Sequence, residues 1–195
     1  MWNKMIGVIK QDVTPATGCT EPIALAYAAA TAARELGEPV RFVDGWVSAN
    51  LMKNGMGVTV PGTGMPGLYI AAAVGALGGD ADAGLQVLKA LTPDVVALGK
   101  QYVADGKITV SVREDTPHVL YAEAVVYGEN HRVRVVITDD HTNIVFIEKD
   151  GKVLRDQRVE GGSGEDPKIA FLHTLTLADI VDFAEQVPLE DLAFL

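Results

Sequence analysis

The one cysteine of this chain stands in the run Gly18-Cys19-Thr20-Glu21-Pro22, in a turn that opens a long helix. Pro15 and Gly18 break the preceding segment, Thr20 or Glu21 can cap, and Pro22 suits a first helical turn, where its missing N–H costs nothing. A thiol beside unsatisfied helix amides meets partial positive charge, which lowers its pKa and favours the thiolate that a nucleophile or metal ligand needs. The competing reading is a small residue packed under the helix, because free cysteines are among the most buried types.

Two further stretches carry side chains suited to chemistry. Pro61-Gly62-Thr63-Gly64 lies between a brief strand and a helix, where backbone amides can receive a carboxylate or phosphate; a tight glycine turn is the alternative. It has neither the Lys-Ser/Thr ending of a phosphate-binding P-loop nor the glycine spacing of a dinucleotide fingerprint. Lys53 and Asn54 precede it, a cation and an amide able to complete an anion site. His141-Thr142-Asn143 sits at the entrance of an apolar run, where a histidine can act as acid, base or donor. The candidate catalytic residues are therefore His141 and Lys53, and the candidate substrate-binding residues are Asn54, Thr63, Gly64, Thr142 and Asn143. His118, His131 and His173 show no partner spacing, and paired His or Cys metal motifs are missing.

The elements that must position these residues read as an α+β fold, helices first and a mostly antiparallel sheet after. Apolar periodicity predicts an amphipathic helix over residues 2–11, and an Ala-rich central helix follows Pro22 as far as Leu36, its small side chains permitting close neighbours. A strand is expected within residues 40–49, a loop or short helix over 50–55, a brief strand at 58–60, and helices over 68–77, 83–91 and 93–104. From Lys107 the pattern alternates through 108–112, 119–127, 133–137 and 144–147, as in an antiparallel meander. Residues 160–167 read as a polar mobile loop, and a last clear helix covers 175–186 behind a Thr176 cap.

With 195 residues and a net charge of -10, the chain can bury a core but is unsuited to nucleic-acid backbones or anionic membranes. No stretch is apolar for long enough to span a bilayer, the first residues lack signal-peptide features, and one cysteine makes no internal disulfide; the reading is cytoplasmic. The chain stops on apolar residues 189–195, as a segment cut from a longer polypeptide or a docked terminus would. A cut chain would leave apolar surface there and along the Ala-rich helix, open to a missing half or to homodimer formation.

Five ordered motifs carry a resemblance: Gly18 to Pro22, Asn50 to Gly55, Val58 to Gly64, Gly75 to Gly79, and His141 to Ile144. On these the chain resembles the N-terminal half of the bacterial and archaeal L-cysteine desulfidases, related to the iron–sulfur L-serine dehydratase alpha chain. That resemblance implies a lyase converting L-cysteine to pyruvate, ammonia and hydrogen sulfide, or alternatively a deaminating L-serine dehydratase. It implies a [4Fe-4S] cluster held by three cysteines, with Cys19 matching the first ligand and the others on a C-terminal half that this chain lacks, so that the fragment holds no stable cluster. The implied partners are a small amino acid, L-cysteine or L-serine, and that C-terminal half. The reading from another class is a non-catalytic small-molecule-binding module that uses the glycine loop as an anion site.

Overall fold

The Ala-rich helix is buried, which its small side chains make possible. In α2 (Thr20–Leu36), Ala24, Ala28, Ala29 and Ala32 are fully enclosed, so the open apolar surface expected along it does not exist. α4 (Leu68–Gly78) lies against it so closely that a Cβ built on Gly75 would sit 2.4 Å from the Ala26 carbonyl oxygen; only glycine fits there. Gly37 ends α2 in the left-handed conformation, and Lys149 Nζ donates to the terminal carbonyls of Glu35 and Leu36 at 2.9 and 3.0 Å.

The computed structural model describes residues 1–158 and 167–195. It divides into two compact units, Ala16–Arg158 and a smaller one from residues 1–15 and 159–195. The expected loop at 160–167 falls, except for the backbone of its last residue, outside the described residues.

In the larger unit, β1 (Phe42–Val47), β4 (Ile108–Val112), β5 (Tyr121–Tyr127), β6 (Arg132–Thr138), β7 (Ile144–Lys149) and β8 (Lys152–Asp156) form a sheet in the order β4-β1-β5-β6-β7-β8. Every pairing is antiparallel except β1 with β4. The α+β class read from the sequence is thus the fold observed. One face carries Val43, Val47, Ala122, Ala124, Val135 and Ile137 and packs on α2 and α4. The connections are α3 (Ala49–Gly55), the short pair β2 (Thr59–Val60) and β3 (Met65–Pro66), and α5 (Pro93–Ala104), which the Thr92 hydroxyl caps.

Three local expectations differ from the fold. Residues 83–91 carry only a 3-10 turn, Gly84–Gln86, because Gly84 takes φ +52° and ends any helical continuation. The meander is interrupted: β4 pairs with β1 in parallel, as the crossover through α5 permits, rather than with β5. β8 is an edge strand with no buried face and hence no apolar alternation, joined to β7 by a turn with positive φ at Asp150 and Gly151.

The smaller unit contains α1 (Trp2–Asp12), α6 (Pro167–Leu172) and α7 (Leu177–Gln186). Met5, Phe183 and Val187 form its core, and Thr176 and Asp179 make a reciprocal capping box at the start of α7. Leu192 joins that core, whereas Leu189 and Leu195 are exposed. Among the described residues no helix is long and apolar enough to cross a membrane.

Candidate functional site

Cys19 itself is the residue preceding the first turn of α2, with Thr20, Glu21 and Pro22 in that turn. Gly18 takes φ +93°, and a Cβ there would lie 2.5 Å from Pro61 Cγ, so the cysteine turn is seated directly on the glycine loop. Two stretches 43 residues apart in sequence are thereby held in van der Waals contact, within the unit Ala16–Arg158.

Glu21 joins the remaining pieces. The Cys19 thiol donates to its Oε2 at 2.8 Å, and Asn54 Nδ2, from α3, donates to its Oε1 at 3.3 Å. His141 contributes the last and smallest of the effects that lower the Glu21 carboxylate. The turn that bears His141 is tied in on the other side: the Thr17 amide donates to the Leu85 carbonyl at 3.0 Å, and a Cβ on Gly84 would meet Thr142 Cγ2 at 3.8 Å.

The electrostatics reverse one expectation. The helix amides of Glu21 and Thr20 do reach the sulfur and favour the thiolate, but burial, the hydrogen bond to Glu21 and its negative charge together push the Cys19 thiol up. The bond from Cys19, with those from its own amide and Asn54, holds Glu21 below the usual carboxylate range. The pair is therefore a protonated thiol facing an ionised carboxylate. Proximity to a helix start does not yield a thiolate when the second residue of that helix is acidic.

The other candidates are placed unevenly. Lys53 is exposed beside Asn54 on α3. Thr63 is 3% exposed, and its hydroxyl donates to the carbonyls of Val60 and Met65 and accepts from the Met65 amide, so the side chain is committed to the turn. Gly62 and Gly64 have positive φ and are exposed. Asn143 Nδ2 donates to the Thr138 carbonyl, and Thr142 binds Asp140 through both its amide and its hydroxyl, which leaves these two ordering the turn that presents His141.

Sequence reasoning left Glu21 as a cap and gave His118 and His131 no partner. His118 Nδ1 lies 2.8 Å from Asp139 Oδ1, and His131 Nδ1 lies 2.7 Å from Asp150 Oδ2. It also passed over Glu123, a buried carboxylate on β5 held by Arg113, Arg134 and Tyr121. The available signal was a lone acid inside an otherwise apolar strand, paired across the sheet face with an arginine inside another.

No group of three or more His, Cys, Asp and Glu side chains among the described residues could hold a metal ion. Cys19 is the only thiol in the chain, so these residues do not fit an iron–sulfur centre.

Fold and site together define an α+β protein with a thiol and a carboxylate sharing one helix start. Over its whole length the chain is 53% identical to the UPF0597 protein of Chromobacterium violaceum and 47% identical to the UPF0597 protein YhaM of Escherichia coli. The chain spans 45% of the length of each of these relatives. No family model and no solved structure matches it. These findings correct the reading by resemblance. The relatives carry the UPF0597 designation, which names no activity, and not the cysteine desulfidase or serine dehydratase names. The assignment to the N-terminal half of such a lyase, its sulfide- and ammonia-releasing activity, the serine dehydratase alternative and the iron–sulfur assignment are withdrawn.

Proposed function

We propose that the cysteine turn, α3 and the glycine loop form a site for a small zwitterionic amino acid. In this reading the ligand's ammonium group faces the Glu21 carboxylate, and its carboxylate faces the exposed backbone of Gly62 and Gly64 with Lys53 nearby. The observation that carries it is the junction itself: Gly18 packs on Pro61 while Glu21 binds Cys19 and Asn54, so acid, amide, thiol and glycine loop converge from distant parts of the chain. An ionised carboxylate beside a protonated thiol supplies an anion for the ammonium group and a proton donor within reach of the ligand. A single cysteine without a disulfide partner suits a reducing compartment, and the proposal places the protein in the cytoplasm.

The test is calorimetric titration of L-amino acids and of their decarboxylated and amidated analogues. Binding that requires both charged ends, and that weakens about tenfold or more in Glu21→Gln, supports the reading. Equal binding of the decarboxylated amines, or no effect of Glu21→Gln, overturns it.

A further inference from the structure

The sheet face turned away from α2 carries a charged cluster that the site above does not use. Glu123 is 2% exposed. Arg113 Nη2 donates to its Oε2 at 2.7 Å, Arg134 donates through Nε to Oε1 at 2.8 Å and through Nη2 to Oε2 at 3.1 Å, and the Tyr121 hydroxyl donates to Oε2 as well. The Arg113 guanidinium lies 5.5 Å from the Trp46 ring centre, and that of Arg134 lies 5.4 Å from Phe146. Among the described residues, the apolar cluster on this face is built from strand residues alone, whereas the opposite face is covered by α2 and α4.

One carboxylate meets two guanidinium groups, while Asp115 acts on Arg113 by its charge and Glu148 stands opposite Arg134 in register. Both arginine side chains stay about a third exposed, at 31% and 33%. Arg113 Nε is shielded from solvent with no hydrogen-bond partner among the described residues, a donor with nothing to receive it. Guanidinium groups fixed in this way by a buried acid and aromatic rings present their remaining N–H groups in a set plane, the geometry that receives a carboxylate.

We infer that this face docks the additional polypeptide by which the UPF0597 relatives exceed the chain, with a carboxylate side chain of that polypeptide meeting Arg113 and Arg134. Two observations select this occupant. The relatives match the chain from end to end, yet more than half of each lies outside the match. Arg113 and Arg134, each about a third exposed, are complementary to a carboxylate on such a polypeptide, whereas Phe146 and Tyr121 beside them are already buried. The inference is independent of the amino-acid site.

Arginine modification by phenylglyoxal, read by mass spectrometry, tests it on the 195-residue chain and on the protein expressed from the complete gene. Arg113 and Arg134 are expected to react about tenfold more slowly or less in the complete protein, while Arg41, 65% exposed elsewhere, reacts equally in both. Equal rates at Arg113 and Arg134 overturn the inference. Protection that instead accompanies dimerisation of the 195-residue chain in sedimentation also overturns it, in favour of a second copy. Arg113→Ala should lower the melting temperature of the complete protein by more than that of the shorter chain; equal shifts would mean that the cluster serves only its own sheet and would reject the docking role.

Discussion

The Cys19 thiol donates to Glu21 Oε2 at 2.8 Å, from two positions earlier at the same helix start. Each residue fixes the protonation of the other: burial and Glu21 push the thiol up, and the bond from Cys19 holds the carboxylate down. At neutral pH the proton stays on sulfur. The helix amides that reach the sulfur are outweighed by burial and by the hydrogen bond and charge of Glu21.

Replacing Glu21 by Gln removes the negative charge while keeping a hydrogen-bonding side chain of similar size. The Cys19 pKa should fall, and alkylation by iodoacetamide at a fixed pH near 8 should accelerate, about tenfold for each unit of pKa while the thiol remains mostly protonated. The pH profile of the alkylation rate measures this. A profile unchanged from the parent protein would show that burial alone raises the thiol.

Glu21 also shapes the response to acid. Its folded pKa lies below its unfolded value, so its contribution to stability is complete above the unfolded pKa, about 4.3, and is lost as pH falls through the folded pKa. Urea unfolding followed from neutral pH down to about pH 3 should show a shallower acid-side loss in Glu21→Gln than in the parent protein.

Gly18→Ala should destabilise the larger unit by about 2 kcal/mol, since φ is +93° and the new Cβ would meet the Pro61 ring. Pro61→Ala in the same chain should restore part of the loss by removing the ring and leave the backbone part. Urea midpoints of the two single variants and the double variant separate these contributions.

Thr63→Val should cost about 1–3 kcal/mol, because the buried hydroxyl closes the turn with three hydrogen bonds. With the fold intact, amino-acid affinity measured by calorimetry should change little beyond what the loosened loop contributes. A large loss of affinity without a loss of stability would instead place the hydroxyl on the ligand.

Tyr121 titrates at about 12, raised first by burial and then by its bond to Glu123. Its folded pKa exceeds its unfolded value of about 10, so the stability linked to it is complete below that value and is lost as pH rises toward the folded pKa. Glu123→Gln should bring the tyrosinate absorbance transition to lower pH. The same substitution leaves two arginines facing a neutral amide and should cost about 3 kcal/mol in urea unfolding.

Much of the fold was legible because its signals are local. Thr92 and Thr176 cap where their hydroxyls precede helical runs, Gly37 stops α2, and short runs rich in β-branched residues between turn signals mark β5, β6 and β7. β8 escaped because an exposed edge strand alternates nothing, and the 83–91 helix failed because one glycine in a left-handed turn overrides nearby helix formers.

The sequence by itself determined that a lone thiol opens a long alanine-rich helix and that a glycine loop lies downstream, since turn residues and helix starts are set by neighbours a few positions away. Only the tertiary structure decided that this loop touches Gly18, that burial helps to outweigh the helix amides at the thiol, and that β1 slots between β4 and β5. It alone gathered Arg113, Arg134 and Tyr121 around Glu123. These relationships join residues from separate elements, and the energy that selects them, burial of α2 against the sheet and α4, belongs to the whole unit rather than to any window of sequence.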